Sequence, residues 1–180
     1  LIKHSPSLSN REIANALWAL GNLKYPYKAG GGLETALGDA LVRRANTLNQ
    51  FDVESIFVGL GLMGASFKAL PMEAQAGLLR QVSTQVETMN VFKLYNVLWG
   101  MANVGLTVDS PVLSRETSLK LWDRTMNLFH SFLRRHYGEV MWAIGSLGFT
   151  FGDNSLLSKT EKKDKKQMLA ILTRVFPNLD

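Results

Sequence analysis

Apolar residues recur with helical spacing near the start of the chain, between residues 10 and 25. Five of them follow the i, i+3, i+4, i+7 pattern that is typical of one buried helical face: Ile13, Ala16, Leu17, Leu20 and Leu23. Asn10 is a suitable N-cap, with Ser9 just before it. Pro26 disfavours helix at the residue that precedes it. The pattern therefore predicts a helix from about Asn10 to Tyr25.

The same pattern returns three times along the chain. A shift of 40 residues brings the first copy onto residues 50–65, a further 41 brings Val58 onto Trp99, and a further 43 brings Trp99 onto Trp142. Such spacing is typical of repeat proteins in which each unit buries its apolar face against its neighbours. A repeat of 40 to 43 residues has room for two helices, which we name helix A and helix B.

We accordingly predict an all-α fold of about four helix-turn-helix repeats, with eight helices in four antiparallel pairs, a right-handed stack of these pairs and no strand. Helix A is expected at about 10–25, 53–67, 92–104 and 136–147. Helix B is expected at about 33–48 and 159–176 in the outer repeats, and after Pro71 and Pro111 in the middle two. The repeats cover approximately residues 8–47, 48–88, 89–131 and 132–180 of a single domain, 1–180.

Equivalent positions of helix A form columns of short polar or small residues. One column is mostly polar: Asn15, Ser55, Asn96 and Glu139. Another is mostly polar and lies two turns further on: Asn22, Leu62, Asn103 and Ser146. A third contains only small residues: Ala19, Gly59, Gly100 and Ala143. The small column marks either a surface that a ligand approaches closely or a seam at which neighbouring helices pack tightly.

Three of the four tryptophans, Trp18, Trp99 and Trp142, share one more helix A column. We interpret them as buried core anchors between consecutive repeats rather than as stacking platforms. Three apolar residues are expected in the core beside them: Leu17, Leu98 and Met141.

Composition narrows the class of protein. With 46% hydrophobic and 19% charged residues the chain is globular rather than disordered. It has no apolar run of the roughly 18 residues that a membrane span needs, so no membrane partner is expected. The absence of cysteine excludes disulfides and thiolate chemistry. The net charge of +5 is compatible with a nucleic-acid partner. Because the sequence begins at Leu1 without a leader, we expect it to be part of a longer protein.

One motif has the form of a dinucleotide-binding fingerprint, G-x-G-x-x-G, at residues 59–64. The repeat alignment places Gly59 and Gly61 in helix A columns, so we interpret them as helical glycines. His130 and His136 have no carboxylates at a metal-binding spacing. No nucleophile, base and orienting group are brought together by the repeats. We therefore predict a protein that is not an enzyme, with no catalytic residue, metal site, cofactor or small-molecule substrate.

Three stretches carry a resemblance to a known repeat family: NALWALGNL at 15–23, NVLWGMANVG at 96–105 and VMWAIGSLG at 140–148. They resemble the octotricopeptide repeat, whose hallmark is a Leu-Trp-Ala-Leu-Ala-x-Leu-Gly-like core in helix A. They are also similar to the helical repeats of organellar RNA-binding proteins that end in a RAP domain. The second repeat departs from the pattern, since Val58 replaces the tryptophan and Leu62 the last polar residue.

The resemblance implies an α-solenoid (superhelix) that binds single-stranded RNA in a mitochondrion or, alternatively, a plastid. Such proteins act in RNA stability, processing or translation, or lie on organellar ribosomes against rRNA and ribosomal proteins. Mapped onto this chain, the implied base-facing residues are Asn15, Ser55, Asn96 and Glu139, followed by Asn22, Asn103 and Ser146. The cations expected to hold phosphates are Arg11, Lys93, Arg134 and Arg135. The alternative is a protein-binding α-solenoid scaffold within a large organellar complex.

Overall fold

The computed structural model describes residues 7–149, 166–171 and 173 of the chain. Within 7–149 it contains seven α-helices and no strand: α1 Asn10–Asn22, α2 Gly32–Arg44, α3 Gln50–Leu62, α4 Met72–Gln85, α5 Val91–Asn103, α6 Arg115–Leu128 and α7 Tyr137–Ser146. Residues 166–171 and 173 are also helical, inside the predicted last helix B. The prediction of an all-α fold is confirmed. The lysine-rich first part of that predicted helix, residues 159–165, lies outside the described residues.

The starts of α1, α3 and α5 are fixed by side-chain caps. Ser9, rather than the predicted Asn10, is the N-cap of α1, and it forms a capping box with Glu12. The hydrogen bonds that Ser9 donates from its side chain and its backbone hold the pKa of the Glu12 carboxyl below its usual value. Asn49 and Asp52 form the same box at α3. Both helices begin where a short polar residue accepts from otherwise unsatisfied backbone N–H groups.

The ends of the odd-numbered helices are equally regular. A residue with left-handed backbone follows each of α1, α3, α5 and α7 at the equivalent position: Lys24 (φ 53°), Gly64 (67°), Gly105 (76°) and Gly148 (83°). In each case the next residue donates its backbone N–H to a carbonyl five residues earlier, which is the six-residue bond of a Schellman motif. The predicted ends of the third and fourth helix A, near residues 104 and 147, are thus confirmed. The first helix ends three residues earlier than predicted, and the bounds 53–67 predicted for the second helix A are wrong, because the Asn49 cap starts α3 at Gln50 and the turn at Gly64 ends it at Leu62.

Helices of like parity pack on one another. Helix α1 packs on α3, α3 on α5 and α5 on α7, while α2 packs on α4 and α4 on α6. A Cβ placed on Gly59 would lie 2.5 Å from the backbone carbonyl of Leu17, and one on Gly100 would lie 2.6 Å from the carbonyl carbon of Phe57. At these two positions the small column is therefore a seam of tight helix packing, which is one of the two predicted interpretations. Ala19, on the outer flank of α1, remains exposed.

The fingerprint-like glycines have the helical setting that the alignment predicted. Gly59 and Gly61 lie inside α3, and Gly64 belongs to the turn that ends it. A phosphate cradle needs such glycines between a strand and the start of a helix. The segment at residues 59–64 has the opposite arrangement, because it forms the end of a helix.

The tryptophan column is not buried, and the prediction of core anchors is wrong. Trp18 and Trp142 are half exposed, at 50% and 49%, and Trp99 is partly exposed. Leu23, predicted on the buried face of the first helix, is also exposed. The buried side of α1 instead carries Ile13, Ala14, Leu17 and Gly21, because that flank faces α3. The side chains of Leu17 and Leu98 are buried as predicted, and Met141 is partly buried.

Candidate nucleic-acid interface

One side of the odd-numbered helices is continuously accessible, and we call it the odd-helix face. It consists of four rows at helical spacing: Arg11, Phe51, Phe92 and Arg135; Asn15, Ser55, Asn96 and Glu139; Trp18, Val58, Trp99 and Trp142; Asn22, Leu62, Asn103 and Ser146. None of these sixteen residues is buried. Helices α3 and α5 are each covered on two flanks by the neighbouring odd-numbered helices. The odd-helix face is the accessible side between those flanks.

The structure brings the predicted base-facing residues onto this face and gives several of them partners. Asn96 donates through Nδ2 to the Glu54 carboxylate at 2.5 Å. Asn22 and Asn103 each donate to the backbone carbonyl four residues earlier, at 2.8 Å. These bonds fix the orientation of the amides, since an amide has one acceptor oxygen and two N–H donors. The assignment of these residues to RNA binding stays a prediction.

Two of the predicted phosphate-binding cations, Arg11 and Arg135, lie in the row nearest the helix starts, and the other two, Lys93 and Arg134, are the chain neighbours of residues in that row. Arg11 forms an ion pair with the buried Asp52, with Nε 3.4 Å from Oδ1. Lys93 bonds to the Gln50 side chain at 3.1 Å. Arg134 and Arg135 lie in the 3₁₀ turn Arg134–His136 that precedes α7, and both are exposed. Arg135 donates to the His136 ring at 3.1 Å. Arg11, Lys93 and Arg135 therefore each have a partner on the protein, while Arg11 and Arg135 stay exposed at the edge of the face.

Aromatic side chains are interleaved with these cations. Two of them lie over the Phe51 ring, with Lys93 Nζ 3.9 Å and the Arg11 guanidinium carbon 5.5 Å from its centroid. Both distances are in the cation–π range. Among the described residues, every exposed Phe or Trp lies on the odd-helix face: Trp18, Phe51, Phe92 and Trp142. The repeat alignment places these aromatics in two of the columns, Phe51 and Phe92 in one and Trp18 and Trp142 in another. Only the packing shows that their side chains are exposed.

A polar cluster joins α5 to α7. The Tyr95 hydroxyl donates to the Glu139 carboxylate, and its ring stacks on His136 with 4.6 Å between centroids. Burial, followed by the hydrogen bond and the charge of Glu139, raises the pKa of Tyr95 to about 12. Neutral Tyr95 thus holds the only carboxylate of the second row in a fixed position beside Arg135. The sequence did not indicate this contact, because it joins residues 44 apart on different helices.

Comparisons with protein-family models, curated proteins and solved structures find no match to this chain. Among the described residues, no helix is both long enough and apolar enough to cross a membrane. Nor does that part of the chain contain a group of three or more His, Cys, Asp or Glu residues that could hold a metal ion.

Proposed function

We propose that this chain is an α-solenoid of four helix pairs that binds single-stranded RNA on the odd-helix face. The architectural part of the proposal is supported by the serial packing of like-parity helices and by the helix ends, which recur every 40 to 43 residues. Serial contact between neighbouring units is what distinguishes a repeat stack from a domain with one central core. The four repeats would form a single domain.

The RNA-binding part is carried by one observation: all exposed Phe and Trp side chains of the described residues share a face with anchored cations. Proteins that bind single strands combine positive charge along the backbone with aromatic rings on which bases stack. Short amides in the neighbouring rows supply hydrogen bonds that can read base edges. The odd-helix face carries cations, aromatic rings and short amides, arranged in rows that cross successive odd-numbered helices.

The biological setting of the proposal is supported by the resemblance to octotricopeptide repeats. On that resemblance the RNA would be organellar, in a mitochondrion or else a plastid. The chain would act as a binding protein in RNA stability, processing or translation, or on a ribosome against rRNA, rather than as an enzyme. One observation favours the scaffold alternative, because the second repeat presents Leu62, 39% exposed, and Val58 where the others have polar or aromatic residues.

A salt titration of RNA binding tests the proposal. Wild type should bind single-stranded RNA with an affinity that falls steeply with salt, because phosphate contacts release counterions. Replacing Arg134 and Arg135 together with Ala should weaken binding to all sequences and reduce the salt slope by up to about two units. Asn96→Ala should instead change sequence preference, with a smaller loss of affinity.

The matched control removes two arginines from even-numbered helices, Arg80 in α4 and Arg115 in α6. That variant has the same net charge as the Arg134 and Arg135 variant, so it should retain most of the wild-type slope if the odd-helix face is the binding surface. A wild-type Kd weaker than about 100 µM near physiological salt would be below ordinary non-specific binding. That result would reject RNA as the ligand and favour the scaffold alternative.

A further inference from the structure

An open cavity of about 470 Å³ lies where the start of α1 meets the turn between α2 and α3. Its rim carries two arginines, Arg11 and Arg44, and its lining includes Asp52. The wall is held together by Asn10, which donates to the backbone carbonyl of Thr47 at 2.7 Å and to its hydroxyl at 3.1 Å. The cavity adjoins the odd-helix face, because Arg11 belongs to the first row of that face. Arg44 instead lies at the end of the even-numbered helix α2.

Only one of the two carboxylate oxygens of Asp52 accepts a hydrogen bond. The residue is 1% exposed, and its Oδ2 accepts the backbone N–H of Asn49 at 3.2 Å in the capping box. Its Oδ1 has no hydrogen bond. Arg11 Nε lies 3.4 Å from that oxygen, close enough for an ion pair but not aligned as a hydrogen bond. A buried acceptor without a donor is unfavourable, so a ligand that supplied a donor would be stabilised there.

The charges of the cavity restrict the ligand. Two arginines attract a phosphate, and guanidinium groups bind phosphate oxygens with well-defined geometry. The adjacent Asp52 carboxylate repels a bare anion but accepts from a hydroxyl. A ribonucleotide carries both groups, because its 2′-hydroxyl lies next to the 3′-phosphate on the same sugar. A deoxyribonucleotide lacks that donor.

We propose that this cavity is a ribonucleotide subsite in which Arg11 and Arg44 hold a phosphate and Asp52 accepts a hydrogen bond from the ribose 2′-hydroxyl. The side chain of Arg11 is 53% exposed, so its guanidinium is free to turn from Asp52 towards the phosphate as the hydroxyl takes its place. The subsite rests on the proposed RNA-binding function and adds to it a reason to select RNA over DNA.

The test compares RNA and DNA single strands of one sequence on the same chain. Wild type should prefer RNA by about tenfold, which corresponds to one hydrogen bond to a charged group. Asp52→Asn keeps the shape and the capping acceptor but loses the charge, so the RNA-to-DNA ratio should fall about threefold to fivefold. Circular dichroism and thermal melting establish that the variant is folded.

Arg44 and its neighbour Arg43 provide a matched pair, since only Arg44 lines the cavity. Arg44→Ala should weaken binding of both strands and reduce the salt slope by about one unit. Arg43→Ala removes the same charge and should have the smaller effect. This pair decides the question if Asp52→Asn does not fold.

Three results would overturn the subsite: equal binding of RNA and DNA by wild type, an unchanged ratio in folded Asp52→Asn, or equal losses in the two arginine variants. Each leaves RNA binding on the odd-helix face intact. If wild type binds neither strand, the proposed function and the subsite fail together.

Discussion

At the scale of single residues, Trp122 has an environment different from that of Trp18 and Trp142, although the repeat pattern predicts burial for the latter two as well. Trp122 is 1% exposed and packs against Phe149, with 5.5 Å between ring centroids. Trp18 and Trp142 are half exposed on the odd-helix face. A large apolar ring that remains in water is unfavourable in isolation, which is consistent with a binding role for these two.

The two environments predict losses of stability of different size when the ring is truncated. Trp122→Ala should lower the free energy of unfolding by about 3–5 kcal/mol, the usual loss for a buried large aromatic. Trp18→Ala should lower it by about 1 kcal/mol or less, since the ring is half exposed, while weakening RNA binding. Urea denaturation of both variants measures the first effect. Similar losses of stability would show that Trp18 is a structural residue.

Tyr95 predicts a dependence of stability on pH. Its pKa is raised to about 12, chiefly by burial and then by the hydrogen bond to Glu139. A raised pKa in the folded state means that the stabilisation is complete below the ordinary tyrosine value near 10 and is lost as pH rises towards 12. Tyr95→Phe should remove this part of the alkaline loss.

The direct measurement is the tyrosinate absorbance of wild type minus that of the Tyr95→Phe variant. The difference should titrate with a midpoint close to 12. A midpoint near the unperturbed tyrosine pKa, about 10, would mean that Tyr95 is neither buried nor bonded to Glu139 in solution.

At the scale of elements, the close approach of odd-numbered helices depends on the absence of a Cβ. Gly59→Ala would place a methyl group 2.5 Å from the Leu17 carbonyl. Backbone atoms cannot move aside without separating α1 from α3, so we expect a loss of about 2 kcal/mol or more in the free energy of unfolding. The control is Gly138→Ala in α7, where a Cβ meets nothing within 4 Å.

Gly138→Ala should instead raise the free energy of unfolding by about 0.5 kcal/mol, because alanine is the better helix former and restricts the unfolded chain. Chemical denaturation of the two variants gives both values. If Gly59→Ala is as stable as wild type, the helices are further apart in solution than in the structure.

Much of the element-level structure could be predicted from sequence, and the reason is local. Helix starts depend on caps such as Ser9, and helix ends on residues such as Gly105, both of which act within one turn. Even so, Lys24 occupies the left-handed position that glycine takes in the other three repeats. A sequence pattern that searches for glycine therefore extends the first helix too far.

The orientation of each helix could not be predicted in the same way. A periodic pattern assigns burial by residue type, whereas the odd-numbered helices bury whichever residues face their neighbours. Asp52 and Gly59 are buried in α3 because they face α1, while Trp18 is half exposed because its side chain lies on the odd-helix face. The candidate site followed the same rule: the rows and their aromatic and cationic residues were visible in the sequence, and the exposure of the aromatic rings only in the packing.

At the scale of the whole molecule, serial packing should give each helix a stability that depends on its position in the stack. Helices α1 and α3 are a matched pair, since each has 13 residues and a capping box. They differ in packing, because α3 contacts an odd-numbered helix on both flanks, α1 and α5, whereas α1 contacts only α3 in this way within the described part of the chain. Units of a repeat stack gain much of their stability from such interfaces.

Native-state hydrogen exchange should therefore show lower protection of the buried amides of α1 than of the equivalent amides of α3. Local openings span free energies from near zero up to that of global unfolding, with the most enclosed elements highest. We expect α1 to exchange about tenfold faster, a difference of about 1.4 kcal/mol in opening free energy. Gly59→Ala should raise exchange in both helices, since it weakens the interface that they share. Equal protection of α1 and α3 in wild type would indicate one cooperative core, and the serial stack on which the proposed RNA-binding face depends would then be wrong.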